Sequence, residues 1–337
     1  RLFFSATYYR RNTKNFLVNV PLPWTSGFST GEVYGNFAAT APVNSGLVRN
    51  TGVELEAGYT FTAPGGVDVR LGGNLTTVHN TMVSLAPGVQ EYFQNSIYRT
   101  SVGYPIDYFY GYKTCGIYQT AAAATAAPPD RTIGTNRPQA GDVCFQDVNG
   151  DGEITAADRA YLGKAIPDFH YGLTLNASLR HFDLSLFFAG VGGVQKFDSA
   201  AISLASVSGG GANRSVAVLD HWTPQNPSNT VPRAIVGDPN QNDRLSDRWI
   251  EDAHYFRLRN AQIGYTLPTG LWGLKSTRVW VSATNLFTLT PYRGLDPEFT
   301  TSIDYSRSLN GIQQQAGTDR GSTPQPRTFQ VGVTTSF

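Results

Sequence analysis

Cysteine, methionine, histidine and charge are all scarce in this chain of 337 residues. Two cysteines, one methionine and five histidines occur, and charged residues make up 15%. With a formal net charge of +1 and scattered Arg and Lys, there is no electrostatic ground for a nucleic-acid partner. The histidines stand at 79, 170, 181, 221 and 254, without ligand spacing. Carboxylates outside one loop show no pairing suited to acid–base work, so the chain is not read as an enzyme. No apolar run approaches the ~18 residues of a transmembrane helix. No signal peptide opens the chain, which starts at Arg1 inside a strand pattern, without Met, and reads as a piece of a longer protein.

Helical periodicity is nearly absent as well. The abundant residues are those of β-structure: Gly 35, Tyr 17 and Phe 19, with many Thr, Val and Asn. From Phe169 to Arg180, apolar Phe169, Tyr171, Leu173, Leu175, Ala177 and Leu179 alternate with polar or small residues, and after Arg180-His181 the pattern resumes through Phe188. The same period of two marks Leu2 to Tyr9, Phe16 to Val20, Val53 to Phe61, Val67 to Thr77, Tyr255 to Leu267, Thr277 to Phe287 and Arg327 to Phe337. About nine strands result. Short turns fall near 11–14, 62–66, 180–181 and 268–275, and long segments near 21–50, 79–167, 191–252 and 288–326. If the strands meander up and down, all short turns lie at one end and all long loops at the other.

That sorting predicts an all-β, antiparallel, up-and-down transmembrane β-barrel segment with long extracellular loops. Glu54, Glu56, Asp68, Arg70 and Asp183 would face a wet lumen, and the Leu, Val, Phe and Tyr faces would meet outer-membrane lipid. A secreted, soluble all-β protein is the alternative. Helix is expected only within the loops, at Thr155 to Leu162 and around Asn213 to His221.

One loop holds a dense set of hard-metal ligands. Asp147, Asn149, Asp151, Thr155 and Asp158 occupy positions 1, 3, 5, 9 and 12 of a calcium-type loop, Gly152 the sharp turn, Ile154 the apolar position 8, and the Glu153 carbonyl position 7. Asp158 departs from the EF-hand pattern, where a longer Glu reaches the ion with both oxygens. The expectation is a structural Ca²⁺ brace; a polar turn without an ion is the alternative. Cys115 and Cys144 lie in the same predicted loop, and an even pair beside an extracellular-looking calcium loop suggests a disulfide, against two unpaired thiols. The loop aromatics Tyr92, Tyr98, Tyr108 and Tyr110 are candidates to contact a substrate or partner, or to form the loop's own core. The dense Trp249, Tyr255, Phe256, Arg257 and Arg259 read as structural.

Several motifs, in order, resemble the C-terminal part of SusC/RagA-type TonB-dependent outer-membrane transporters of Bacteroidetes. They include Asn50-Thr-Gly52-Val-Glu54, Val102-Gly-Tyr-Pro105-Ile106, Tyr110-Gly111-Tyr112, Gly141-Asp142 leading to Asp147-Val-Asn-Gly-Asp-Gly152, and Ile166-Pro167-Asp168. They continue with Trp222-Thr-Pro-Gln-Asn-Pro227, Ser246-Asp-Arg-Trp249 to Asn260, Asn285-Leu-Phe287, Gly294-Leu-Asp-Pro-Glu298, and Arg327-Thr-Phe329 to the terminal aromatic Phe337. The resemblance implies a plugged barrel of about 22 strands, of which about nine are here. It implies import of a glycan, oligosaccharide or peptide, with a SusD-like surface lipoprotein over the mouth. The TonB-ExbB-ExbD complex would act through an N-terminal region, with the plug, outside this chain. The alternative is a secreted, calcium-braced β-protein that binds or degrades carbohydrate.

Overall fold

The computed structural model describes residues 1–21, 40–87, 89, 91–93, 97–208, 213–268, 275–299 and 317–336, the side chains at 16–21, 40–42, 92 and 93 excepted. Eight long strands form one antiparallel sheet in chain order. They are β1 (Leu2–Pro21), β2 (Thr40–Ala63), β3 (Val67–Thr77), β4 (Phe169–Leu179), β5 (Phe182–Gly192), β6 (Tyr255–Thr266), β7 (Ser276–Leu289) and β8 (Thr328–Ser336). A short ninth strand, His79–Ser84, pairs with the upper part of β2. Among the described residues no helix is long and apolar enough to cross a membrane.

The register shows why this sequence makes one sheet. One row across it runs Leu2, Tyr59, Leu71, Leu175, Leu186, Ala261, Ala283 and Phe329, all apolar. The next row runs Thr60, Arg70, Asn176, Ser185, Gln262, Ser282 and Gln330, all polar. A slip of one residue in any pair would invert a strand, so the two-faced pattern fixes the register. At Arg259 a bulge interrupts the β6–β7 ladder between Leu258 and Asn260, and Leu258 still pairs with Phe287 on the apolar face. That face is open: Leu2 is 77% exposed and Val331 75%.

The chain reverses tightly after β2, where Gly65 and Gly66 take positive φ and the Gly66 amide closes on the Ala63 carbonyl. It reverses again at Arg180, which sits in the left-handed region (φ 54°). The β6–β7 connection leaves from the same end. The connections after β1, β3, β5 and β7 leave from the opposite end, as the strand directions require. Three of the four expected short connections, and all four long ones, are therefore sorted as the sequence predicts.

Three expectations fail in whole or in part. Residues 10–15 are not a hairpin turn, because β1 runs straight through them; Asn12 faces Arg49, whose Nε donates to Asn12 Oδ1 at 3.2 Å. What the polar run encodes is an irregularity, a register shift beside Asn15 at φ 59°. The first two predicted strands are thus one, which leaves eight long strands. The helix expected at Thr155 to Leu162 is a single 3-10 turn, Ala156–Asp158, followed by the strand Arg159–Lys164. Cross-strand pairing with Tyr108–Tyr112 overrides the local preference. Around 213–221 only the 3-10 turn Val216–Asp220 forms, whereas the Ala-rich stretch after Cys115 makes the short helix Ala121–Ala126, capped by the Thr120 side chain. Phe337 lies outside the described residues.

Candidate functional site in the loop layer

Beyond the sheet, the long connections fold on one another. A small core joins Ile97, Tyr98 and Phe109 of the 78–168 connection to Phe197 and Trp249 of the 193–254 connection. The third connection enters through Thr318, which pairs with Phe197 and touches the Tyr98 hydroxyl. Ionic ties reinforce the layer. Asp142, with no exposed surface, accepts from Arg233 Nε (2.7 Å) and Nη2 (3.2 Å), Asn242 Nδ2 (3.1 Å), Asn240 Nδ2 and the Gln139 amide (2.7 Å). Five donors on one buried carboxylate satisfy its charge, as a buried ion requires. Beside it, Gly141 at φ 89° lies where a Cβ would strike the Trp222 ring, so only glycine fits the turn that delivers Asp142. Arg257 of β6, 2% exposed, binds Asp296 of the third connection, and Arg293 binds Glu251 at 2.7 Å.

Cys115 and Cys144 are bonded, with Cα atoms 5.1 Å apart, and no free cysteine remains among the described residues. They join the paired strands Thr114–Ile117 and Val143–Phe145, a spacing suited to a disulfide.

The 147–158 loop is tightly wound on its own amides. Asp147 accepts from Gly150 (2.7 Å) and Gly152 (2.8 Å), and Asp151 from Glu153 (3.0 Å) and from Asn149 Nδ2 (2.9 Å). Gly152 takes φ 88°, as the sharp turn demands. Asp158 is fully buried and accepts from the amides of Val148 (2.9 Å), Asn149 (3.3 Å) and Thr155 (2.7 Å), completing a capping box with Thr155. Burial opposes its ionisation, yet those amides together hold the carboxyl below its ordinary value. The Glu153 carboxylate turns to Arg131. Among the described residues no three His, Cys, Asp or Glu converge to hold a metal ion. The donor chemistry of Asp147, Asn149 and Asp151 suits a hard cation, whereas Asp158 already serves as the internal clasp of the loop.

The aromatic candidates divide. Tyr98, 1% exposed, belongs to the core, and burial pushes its hydroxyl up to about 12. Tyr108 is 3% exposed and its hydroxyl bonds Ser101 Oγ at 3.0 Å. Neither can meet a large ligand without the layer opening. The side chain of Tyr92 lies outside the described residues. Tyr110 sits on the outer face of a four-stranded sheet (Glu91–Phe93, Tyr98–Ser101, Tyr108–Tyr112 and Arg159–Lys164), with the Arg99 guanidinium 4.1 Å from its ring centre. Two tyrosines that sequence reasoning missed share this face: Tyr104 and Tyr161, 46% and 37% exposed. The available signal was the pairing of Tyr161 with Tyr110, invisible while 155–162 was read as helix.

An up-and-down antiparallel sheet, apolar along one face and polar along the other, with long connections at one end, is a section of a β-barrel. No protein-family model matches the chain. TonB-dependent receptor P3 of Formosa agariphila is 32% identical over 346 residues, covering 100% of this chain and 32% of that protein. TonB-dependent receptor SusC of Bacteroides thetaiotaomicron is 26% identical over 323 residues, covering 89% and 28%. Among solved structures, the RagAB peptide importer in its open-open state superposes with a TM-score of 0.76 at 23% identity, over 100% of this chain and 33% of that one. The chain spans about a third of the length of the curated relatives it matches. Along its whole length it is similar in sequence to TonB-dependent receptor P3, over 89% of it to SusC, and it shares the fold of the RagAB importer. These relatives carry receptor and importer names, not enzyme names.

Proposed function

We infer that the complete protein is a TonB-dependent importer of a glycan, oligosaccharide or peptide in the outer membrane, and that this chain builds part of its barrel wall and extracellular mouth. The observation that carries the reading is the unbroken apolar face across eight strands. In water it would be a large exposed patch; in lipid it is the required surface. The polar face then lines the interior. TonB coupling belongs to a part of the protein outside this chain.

A SusD-like surface lipoprotein is the partner. Supporting this are apolar side chains in the loop layer that no lipid would cover: Leu204 (48% exposed), Val216 (84%), Leu219 (78%) and Val236 (86%). Backbone bonds gather them, Ser215 to Leu204 at 2.8 Å and Gly237 to Ser208 at 2.8 Å. Affinity purification of the tagged full-length receptor from detergent-extracted outer membranes tests the reading. A surface lipoprotein is expected to co-purify, and to be lost when Val216 and Leu219 are both changed to Asp. A water-soluble protein that hydrolyses polysaccharide would instead establish the secreted alternative.

Ca²⁺ on the 147–158 loop is part of the same proposal, held by Asp147, Asn149 and Asp151 with the Glu153 carbonyl, and acting as a brace without chemistry. Calorimetry on full-length protein should show Ca²⁺ binding that Asp151→Ala abolishes. Equal binding by both proteins would leave the loop a polar turn.

A further inference from the structure

We propose that the tyrosine face of the four-stranded loop sheet is a stacking subsite for the sugar rings of a glycan, a deepening that rests on the importer reading above. The sheet has two unlike faces. One presses Tyr98 and Phe109 into the loop core; the other carries Tyr104, Tyr108, Tyr110 and Tyr161. On that outer face three rings form a triangle, with centroids 5.1 Å apart for Tyr104 and Tyr108, 5.3 Å for Tyr108 and Tyr161, and 6.0 Å for Tyr104 and Tyr161. Tyr108 is the buried keystone, fixed by Ser101, and holds the two exposed rings in place. Behind them, the guanidinium groups of Arg99 and Arg159 lie 4.1 and 5.2 Å from the Tyr110 ring.

A pyranose ring has an apolar face of C–H bonds and a rim of hydroxyls. The two exposed rings of Tyr104 and Tyr161, their planes inclined by 33°, offer apolar area to such a surface, and their hydroxyls supply partners for its rim. Because the rings are already packed against Tyr108, little side-chain freedom is lost on binding. A peptide that binds by adding a strand is held through its backbone at an open sheet edge. At the edge strand beside these tyrosines, Arg159–Lys164, the Lys164 amide already donates to Gln195 Oε1 at 3.0 Å. The exposed tyrosine rings therefore suit a sugar ring better than this edge suits an added peptide strand.

The experiment uses full-length receptor in detergent on an array of neutral and acidic plant, algal and fungal oligosaccharides, with a tryptic digest of casein as the peptide arm. Any oligosaccharide retained is then titrated by calorimetry against the wild type, Tyr104→Ala, Tyr161→Ala and Tyr161→Trp. Each alanine change should weaken binding about tenfold, which corresponds to a stacking contact of ~1.4 kcal/mol. Tyr161→Trp, which keeps an aromatic face, should bind like the wild type. The proposal is overturned if no oligosaccharide binds, if only peptides bind, or if both alanine variants bind an oligosaccharide as the wild type does. In each of those cases a receptor still extracted from outer membranes with its lipoprotein leaves the importer reading standing. A receptor found in neither place overturns that reading instead.

Discussion

The sheet and the loop layer are stabilised in opposite ways. In the sheet, large apolar side chains point outward, and the described strands are held by backbone ladders and cross-strand pairs. In the loop layer the order is that of a water-soluble protein: Tyr98, Phe109 and Trp249 inside, buried carboxylates matched to arginines, and a disulfide. The sheet owes its outward pattern to the solvent it expects, whereas the layer carries its own interior. Substitutions should therefore act by different rules in the two regions.

The largest effect should come from Asp142→Ala, which leaves Arg233, Asn240 and Asn242 facing a void. Loss of about 3–5 kcal/mol is expected, read by hydrogen exchange as opening of 139–143 and 228–243 while the amides of β3 to β6 stay protected. Simultaneous loss of sheet protection would show that the two regions form one cooperative unit. Next, replacing Cys115 and Cys144 by Ser removes the clamp across a separation of 29 residues, and should cost the layer ~3–4 kcal/mol. Limited proteolysis should then cut the Ala121–Ala126 stretch first.

A matched pair sharpens the contrast. Val281→Arg, on the apolar face of β7, should destabilise the folded barrel by about 2–4 kcal/mol, seen as a lower unfolding midpoint in detergent. Val216→Arg, which is even more exposed, should change the midpoint by under about 0.5 kcal/mol. Equal effects would mean that the apolar face does not meet lipid. The smallest effect concerns pH. The folded-state value of Asp158 lies below its unfolded one, so its clasp contributes fully above the ordinary carboxylate range near ~3.9. That contribution is lost as pH falls through the lower folded value, and hydrogen exchange, corrected for its intrinsic pH dependence, should show the 147–158 amides open only at the acid end. Asp158→Asn should show the opened behaviour at neutral pH.

The sheet was legible in the sequence because its signal is periodic. Alternation from Phe169 to Phe188 leaves one register that keeps the faces apart, and the structure has it. Legibility fails where the strand leaves the two-faced band. Arg10 to Asn15 is polar on both faces and reads as a turn, although it continues β1. In the loop layer, residue types and spacing point to Asp147 to Asp158 as a closed loop. They do not show that Asp158 turns inward, nor which tyrosines remain on the outside. Tyr98 and Tyr161 differ in the partner strands that cover them, and those lie far away in the chain.

The lengths of β1 and β2 carry one more consequence. They run for 20 and 24 residues, against 11 for β3, β4 and β5. At ~3.3 Å per residue the surplus of β1 over β3 amounts to about 30 Å of ribbon, paired with β2 throughout. At that end the sheet is therefore continued in two manners, by a two-stranded ladder at β1 and β2 and by folded connections standing on the shorter strands.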